Sequence, residues 1–338
     1  MVYTENYLSD LVKIRSSVPG LEKLAGSRVL ITGAGGLICS ALVDLLVSLD
    51  MDIQVYAAGR SIEKLQARFA HWGDRIRYLK YDALEPVAFE ESFDYYIHGA
   101  SNASPKAYGT QPVETMLGNL LGMQNLLNHA KNHGCKRVLY VSSSEVYGRK
   151  EGKDPYHEQE YGFVDILNPR ACYPSSKRAA ETLCAAYTQE YGVDTVIVRP
   201  GHIYGPTSTP TDDRASSQFP RDVLAGKDIV MKSAGTQLRS YCYVLDCVSA
   251  MTAVLLNGEK GKAYNISNRN SLVTIRQMAE AFAEAAGRKI IFENPTDAEA
   301  KSYNLMDNSA LDATSLEDLG WYGRFDLKSG VQATLDAL

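Results

Sequence analysis

Short apolar runs alternate with amphipathic stretches through the first 200 residues of the chain. Runs with the character of buried strands occur at residues 28–32, 53–58, 76–81, 95–98, 137–142 and 195–199. Helical periodicity separates them, most clearly at 37–49, 112–132 and 173–191. Strands that alternate with helices predict a parallel sheet covered by helices on both faces. We therefore predict an α/β fold, a doubly wound parallel sheet with a smaller C-terminal lobe.

The second half of the chain is less regular. Residues 206–220 are rich in Thr, Ser, Pro and Asp, which is typical of a loop, and we expect this loop to lie over the site. A helix is predicted at 272–287, and a shorter one ends at 315–320. Residues 1–26 show partial helical spacing, and we expect an arm that packs either on the body or on a second subunit.

Composition excludes several classes of function. The 338 residues carry a net charge of -5, so no basic surface for nucleic acid is expected. No apolar run approaches the roughly 18 residues of a membrane-spanning helix, and the N-terminus lacks a signal-peptide pattern. The six cysteines show no metal-site spacing, so we expect reduced thiols, no metal and a cytoplasmic protein.

A glycine-rich turn joins the first predicted strand to the first predicted helix. Gly33 permits a tight turn, and Gly36 lets the backbone approach a pyrophosphate at the helix N-terminus. The third position of this motif usually holds glycine for close helix–strand packing, but here it is Cys39. The strand–turn–helix context nevertheless predicts a dinucleotide-binding turn.

The end of the second predicted strand leaves NAD and NADP open. NAD-binding chains usually place Asp or Glu there, to bind the ribose 2′-hydroxyl. This chain has Arg60 and Ser61, which could meet a 2′-phosphate, although Arg60 could also stack on adenine or be solvated. Asp82 is placed to accept a hydrogen bond from the adenine amino group, and its alternative role is a helix N-cap. We expect NAD, with NADP as the alternative that Arg60 suggests.

A proton-transfer set lies near the middle of the chain. Tyr173 and Lys177 are four residues apart and so share one face of the predicted helix. Ser143, on the end of a preceding strand, can complete the set. A phenol has a pKa of about 10, and a neighbouring ammonium favours the phenolate and brings it toward useful range. Such a set suits hydride transfer to or from a sugar carbinol.

These motifs give the chain its family likeness. It resembles the extended short-chain dehydrogenase/reductase family, in its group of nucleotide-sugar epimerases, dehydratases and decarboxylases. The likeness runs from about Arg28 to the C-terminus. Segments 100–108, 144–148 and 169–173 are most similar to UDP-glucuronate decarboxylases. One segment and one further position depart from that pattern: Pro-Ser-Ser follows Tyr173 where Asp-Glu-Gly is usual, and His202 stands where Asn is usual.

The resemblance implies modification of a nucleotide sugar through a 4-keto intermediate. Tyr173 would remove the C4 hydroxyl proton within a hydrogen-bond network shared with Ser143. Lys177 would hold the ribose hydroxyls of the cofactor and lower the pKa of the phenol. Glu145 would order the sugar or a water near C5 and C6, and Arg239 would pair with the diphosphate.

The resemblance also assigns contact residues. Cofactor contacts are expected from Gly33, Gly35, Gly36, Leu37, Ile38, Arg60, Asp82, Ala83, Ala100, Ser101, Ser142, Tyr173, Lys177, Pro200, His202 and Ile203. Substrate contacts are expected from Ser104, Lys106, Ser144, His202 and Arg239. Purely structural roles stay open for three of the predicted residues. Glu145 could bond to backbone in its turn, His202 could be an ordinary loop histidine, and Arg239 could form an ion pair between lobes.

Domain organisation follows from the same likeness. Residues 1–26 would form the arm, and 27–200 a dinucleotide-binding Rossmann domain to which 236–264 returns. Residues 201–235 and 265–338 would form the nucleotide-sugar-binding lobe. A homodimer is expected through the two long helices that begin near Pro112 and Tyr173.

Several reactions fit the predicted site. Decarboxylation of UDP-glucuronate to UDP-xylose is the first hypothesis. A 4,6-dehydratase of the dTDP- or CDP-glucose type is disfavoured because such enzymes usually place Asp where Ser144 stands. A 4-epimerase would leave Glu145 without an obvious task. A non-catalytic dinucleotide-binding module is a remote alternative, since both Tyr173 and Lys177 are present.

Overall fold

A central sheet of seven parallel strands organises the protein. The structure is a computed structural model and describes residues 3–152, 154–295, 306 and 308–338. The described strands are β1 (Ser27–Thr32), β2 (Ile53–Gly59), β3 (Ile76–Lys80), β4 (Tyr95–His98), β5 (Arg137–Val141), β6 (Thr195–Pro200), β7 (His202–Tyr204), β8 (Ile229–Met231), β9 (Leu238–Tyr243), β10 (Ala263–Ile266), β11 (Leu272–Thr274), β12 (Ile290–Phe292) and β13 (Asn308–Ser309). The sheet order is β10-β6-β5-β4-β1-β2-β3, which confirms the predicted doubly wound architecture.

Helices cover both faces of this sheet. The described α-helices are α1 (Glu5–Arg15), α2 (Leu37–Ser48), α3 (Ile62–Arg68), α4 (Pro105–Thr110), α5 (Pro112–His133), α6 (Cys172–Tyr191), α7 (Ala215–Leu224), α8 (Val244–Asn257), α9 (Ile275–Ala285), α10 (Thr314–Glu317) and α11 (Leu327–Asp336). Short 3-10 turns occur at Leu21–Leu24, Ala70–Arg75, Ser144–Tyr147, Pro169–Ala171 and Arg269–Ser271.

Alternation along the strands creates two hydrophobic cores. Val29 and Ile31 of β1 pack with α1, α2 and α8 on one face, whereas Leu30 packs with α5 and α6 on the other. Successive residues of a strand point to opposite faces, so each strand feeds both cores. The strand order reverses between β1 and β4, and ligands of such sheets bind in the crevice that opens there at the carboxyl ends of the strands.

A second, smaller sheet lies after residue 200. Its central strand β9 pairs with β7, β11 and β13, while β8 pairs with β12 separately. The domain boundaries stay a prediction. Within the returning segment 236–264, β9 lies in the small sheet, and β10 begins at Ala263 and lies in the large one. No helix in the described part of the chain is long and apolar enough to cross a membrane.

Three local predictions need correction. The stretch 206–220 is not a loop throughout, because α7 begins at Ala215. The helix expected at 272–287 begins only at Ile275, since residues 272–274 form β11 against β9 and Thr274 caps the helix. The third strand ends at Lys80 and not at Tyr81.

The N-terminal arm packs on the body of its own chain. Helix α1 lies against α2 and α8, and Tyr7, Leu11 and Ile14 are fully buried there. The first of the two alternatives for this arm is therefore observed.

Candidate active site

The glycine turn after β1 has the shape of a nucleotide cradle. Gly33 has φ 68°, and a Cβ there would lie 2.7 Å from backbone atoms of Gly99 and Ala100. The Gly36 N–H donates to the Gly33 carbonyl at 3.0 Å, and Gly36 then serves as the N-cap of α2. Among the described residues no side chain caps this helix, so its N-terminal N–H groups face the crevice as an anion site.

Cys39 occupies the first turn of α2, beneath the cradle. Its side chain is buried, and burial raises the pKa of the thiol to about 12. The thiol is therefore a neutral packing group. Thr207, at the start of the 206–220 segment, donates to the carbonyl of Leu37 at 2.7 Å and ties that segment to the same helix.

Tyr173 and Lys177 lie in the first two turns of α6, as predicted. Both are buried, and the Lys177 Nζ is 5.7 Å from the ring centroid of Tyr173. The Nζ donates to the carbonyl of Val141 at 2.8 Å, which fixes it at the carboxyl end of β5. Burial lowers the pKa of Lys177 to about 7, although the charge of Glu181 opposes this shift in part.

The environment of Tyr173 favours its neutral form in the ligand-free protein. Burial raises the pKa of the phenol, and the charge of Glu145 raises it further. Hydrogen bonding with Ser143 and Tyr108, together with the charge of Arg214, lowers the pKa in part. The net direction is opposite to the one that Lys177 alone was expected to produce, because desolvation is the largest influence.

Three consecutive serines follow β5. The Ser143 hydroxyl accepts from the N–H of Glu145 at 3.2 Å and so caps the turn Ser144–Tyr147. Ser144 is buried, and the buried hydroxyl of Ser142 has no hydrogen-bond partner among the described residues. Ser143 therefore has both of the roles considered for it: it caps the turn at the end of the strand, and it lies near Tyr173.

Glu145 is held by Arg170, a residue to which the sequence assigned no role. Arg170 Nη1 and Nη2 donate to the two carboxylate oxygens of Glu145 at 2.9 and 3.0 Å. The guanidinium lies 4.6 Å from the ring centroid of Tyr108, which stacks on Tyr173 at 4.5 Å. Arg170 stands three residues before Tyr173, and that spacing was the available signal.

The segment 206–220 approaches the same tyrosines. The Ser104 hydroxyl donates to Asp213 at 3.2 Å, and Arg214 forms an ion pair with Asp212. Arg214 acts on the pKa of both Tyr108 and Tyr173. The segment thus lies over the site as expected, although Arg214 itself was missed, since nothing in its local sequence distinguishes it from a solvated loop arginine.

His202 and Arg239 come from two paired strands, β7 and β9. Burial and the charges of Arg239 and Arg214 lower the pKa of His202 to about 3, so this imidazole is neutral. Its buried Nδ1 has no partner among the described residues. Arg239 is buried, and its guanidinium donates to the carbonyls of Leu238 and Met306 at 2.9 and 2.7 Å.

The adenine end of the predicted cofactor site is more open. Arg60 is exposed directly after β2. The hydroxyl of Ser61 caps α3 by accepting from the N–H of Lys64 and donates to Glu63 at 2.8 Å. Asp82 accepts from the N–H of Leu84 at 3.1 Å in a turn that no helix follows, so the N-cap alternative is wrong.

The remaining predicted contacts lie at or just after the carboxyl ends of strands of the large sheet. Ala83 follows β3, Ala100 and Ser101 follow β4, Pro200 ends β6, and Ile203 lies in β7. The Ser101 hydroxyl is buried and has no partner in the described part of the chain. Lys106 is exposed in the first turn of α4. Across the described ranges, no group of three or more His, Cys, Asp or Glu residues is arranged to hold a metal ion.

Comparison with known proteins gives a consistent result. Residues 29–267 match the model of the NAD dependent epimerase/dehydratase family. The chain is 31% identical over 316 residues to UDP-glucuronic acid decarboxylase 1 of Xenopus tropicalis, across 91% of this chain and 71% of that protein. It is 32% identical over 311 residues to UDP-glucuronic acid decarboxylase 6 of Arabidopsis thaliana, across 90% and 86%.

Solved structures share the fold. UDP-glucose 4-epimerase of Thermotoga maritima, solved with UDP-glucose, has a TM-score of 0.78 at 21% identity and covers 92% of this chain and 98% of its own. UDP-glucuronic acid 4-epimerase of Bacillus cereus, solved with UDP-glucuronic acid and NAD, has a TM-score of 0.77 at 22% identity with the same coverage.

Proposed function

The chain belongs to the NAD-dependent epimerase/dehydratase family, and from this premise we propose that it oxidises UDP-glucuronate at C4 and decarboxylates it to UDP-xylose. The observation that carries the proposal is the pairing of Glu145 with Arg170 beside Tyr173, where Ser144 takes the place of a dehydratase acid. The UDP-glucuronic acid decarboxylases, at 31% and 32% identity, support the same reaction.

We propose NAD as the cofactor. The Gly33–Gly36 cradle and the uncapped N-terminus of α2 suit its pyrophosphate. The Ser61 hydroxyl is already engaged, and it contacts the carboxylate of Glu63, whose charge opposes a 2′-phosphate. Arg60 would then lie over the adenine or in solvent. When bound, NAD supplies an acceptor for the C4 hydride and returns that hydride at the end of the cycle.

The side chains of the site handle the protons and the charges. Tyr173, as phenolate, takes the proton of the C4 hydroxyl, and the Ser143 hydroxyl steadies the oxygen. Lys177, fixed by the Val141 carbonyl, would bind the ribose hydroxyls of the cofactor. In its protonated form, Lys177 favours the phenolate.

Oxidation at C4 makes the substrate a β-keto acid. The C5–C6 bond then breaks, carbon dioxide leaves, and the bonding electrons form an enolate over C4 and C5. A water ordered by Glu145 and Ser144 would pass a proton from the solvent to C5, so the reaction takes up one proton for each carbon dioxide released. Tyr173 returns its proton to the C4 oxygen as the carbinol re-forms, so the enzyme ends in its starting state.

Proton NMR of the NAD-loaded protein with UDP-glucuronate tests the reaction. A UDP-pentose with two C5 protons is the expected product, and Tyr173→Phe should lose at least about a thousandfold in kcat with little change in KM. Unchanged UDP-glucuronate, or its C4 epimer as the main product, would contradict the proposal. The same assay with UDP-glucose, dTDP-glucose and CDP-glucose then tests the dehydratase and epimerase alternatives.

We also propose a homodimer formed through α5 and α6. Four large apolar side chains are exposed on α5, which lies beside α6: Val113, Met116, Leu117 and Leu121. Such a stripe on a long helix favours burial in a helix–helix interface. Leu117→Arg should convert the dimer into a monomer by light scattering, whereas Gln66→Arg on the exposed face of α3 should not. A monomeric wild-type protein at micromolar concentration would contradict this proposal.

A cytoplasmic location is proposed on the state of the cysteines. All six are free thiols, and Cys39, Cys172, Cys184, Cys242 and Cys247 are buried. Free buried thiols fit a reducing compartment. Cell fractionation that finds the protein outside the cytosol would contradict it.

A further inference from the structure

The ion pair between Arg170 and Glu145 is built into the site. Its two hydrogen bonds are 2.9 and 3.0 Å long, and each side chain keeps 21% of its surface exposed. The N–H of Arg170 donates to the side chain of Asn168 at 3.0 Å, which fixes the backbone of the short turn before α6. The fork of the guanidinium matches the carboxylate, so the pair is specific in geometry.

Aromatic rings connect this pair to the reacting tyrosine. The guanidinium lies over the ring of Tyr108 at 4.6 Å, and Tyr108 stacks on Tyr173 with an interplanar angle of 21°. Glu145 is close enough to Tyr173 that its charge raises the pKa of the phenol. We therefore expect a sugar whose C4 hydroxyl meets Tyr173 to bring its C6 group close to the charge of Glu145.

A hexuronate carries a second carboxylate into this place. Two carboxylates in a half-buried site repel each other strongly, and an adjacent cation removes that repulsion. The Glu145 pair uses two of the five guanidinium N–H donors. The Arg170 Nε is buried and has no hydrogen-bond partner in the described part of the chain. The guanidinium therefore balances the charge of Glu145 and keeps N–H donors that Glu145 does not use.

We propose that Arg170 is a specificity residue, which neutralises Glu145 so that a nucleotide sugar with a C6 carboxylate can bind beside it. This inference rests on the proposed function, since it assigns the substrate class of the same site. A sugar with a neutral hydroxymethyl group at C6 gains nothing from this compensation. Arg170 therefore selects uronates without contacting the C4 hydroxyl.

Calorimetric binding of UDP-glucuronate and UDP-glucose tests the proposal. All variants carry Tyr173→Phe, so that binding to the NAD-loaded protein is measured without turnover. Arg170→Gln should weaken the binding of UDP-glucuronate, relative to the binding of UDP-glucose, by roughly ten- to a hundredfold. Arg170→Lys should recover part of this ratio, because it keeps the charge but loses the fork. Adding Glu145→Gln to Arg170→Gln should recover it as well, since the repelling carboxylate is then gone.

A matched control comes from the opposite edge of the sheet. Arg137 forms a similar bidentate pair with Asp194, with bonds of 2.9 Å and side chains 15% and 28% exposed. Arg137→Gln removes the same charge and should leave the ratio of the two affinities unchanged. The proposal is overturned if Arg170→Gln weakens both sugars equally, if it changes neither, or if Glu145→Gln fails to restore the ratio.

The binding ratio and the NMR assay separate the two proposals. Decarboxylation by the wild-type protein with an unchanged ratio in Arg170→Gln would overturn the role of Arg170 alone. A changed ratio in a protein that does not release carbon dioxide would overturn the proposed reaction and support Arg170 as a residue that selects uronates.

Discussion

The sulfur of Cys39 lies in the space that a Cβ on Gly99 would occupy. The third glycine of the nucleotide-binding turn normally lets the helix approach the sheet. In this chain that approach is kept, because the missing side chain is on the strand side, just after β4. The position that must be glycine is therefore Gly99, in the segment after β4, and not position 39 of the helix.

This relationship predicts a compensating pair of substitutions. Gly99→Ala should destabilise the protein by about 1–3 kcal/mol, because the new methyl overlaps the sulfur in a packed site. The other neighbours of that methyl, the Thr32 carbonyl and a Val141 methyl, lie at 3.4 and 3.7 Å and tolerate it. Adding Cys39→Ala should therefore restore most of the loss. Urea unfolding of both variants measures the effect, and purely additive losses would contradict the packing argument.

Lys177 should make the stability of the cofactor-free protein depend on pH. Its folded pKa of about 7 lies below the unfolded value of about 10.4. Between these values the unfolded chain binds the proton and the folded chain does not, so the free energy of unfolding rises with pH across this window. The cost of burying the charged amine is fully present below about pH 7.

The measurement is the difference in unfolding free energy between wild type and Lys177→Met at pH 6 and pH 10. As pH rises, this difference should change in favour of the wild type by on the order of a few kcal/mol. Lys64→Met, at an exposed site of α3, provides the control. Its difference in unfolding free energy from the wild type should be the same at both pH values. Parallel curves for wild type and Lys177→Met would mean that Lys177 keeps its charge when buried.

Arg214 should set the acid limb of the pH–rate profile. Its charge lowers the pKa of Tyr173, so Arg214→Gln should raise that pKa. The acid limb of kcat/KM then moves to higher pH. Arg221 holds the carbonyls of Pro210 and Asp212 in the same segment. Arg221→Gln should alter KM and leave the limb in place, and an equal shift in both variants would refute a direct charge effect.

Asp44 should anchor the N-terminal arm. This fully buried carboxylate accepts from Tyr3, Tyr7, Arg68 and Trp72 at 2.9, 2.9, 3.0 and 2.7 Å. Asp44→Asn removes the charge that compensates Arg68 and leaves donors without acceptors, and it should cost about 2–4 kcal/mol of stability. Asp50→Asn, at the exposed end of the same segment, should cost less than about 0.5 kcal/mol. Similar losses in calorimetry for both variants would contradict the anchoring role.

Local sequence determined the architecture of the large sheet. Its first six strands are short apolar runs, β1, β2, β4 and β5 are each followed by a helix before the next strand of the sheet, and no distant partner was needed to recognise them. The sequence alone also predicted the pairing of Tyr173 with Lys177, because helical geometry places residues four apart on one face. The strand β11 was missed because its pairing with β9, and not local preference, makes it a strand.

Only the tertiary structure decided the charges of the site. Burial, which no sequence window reports, lowers the pKa of Lys177 and raises that of Tyr173. The pairing of Glu145 with Arg170 joins a turn after β5 to the turn before α6, across 25 residues of chain. The place of Cys39 against Gly99 likewise depends on two segments that meet only in the fold. The sequence determined which groups are present, and long-range packing decided which of them are charged, paired or free to react.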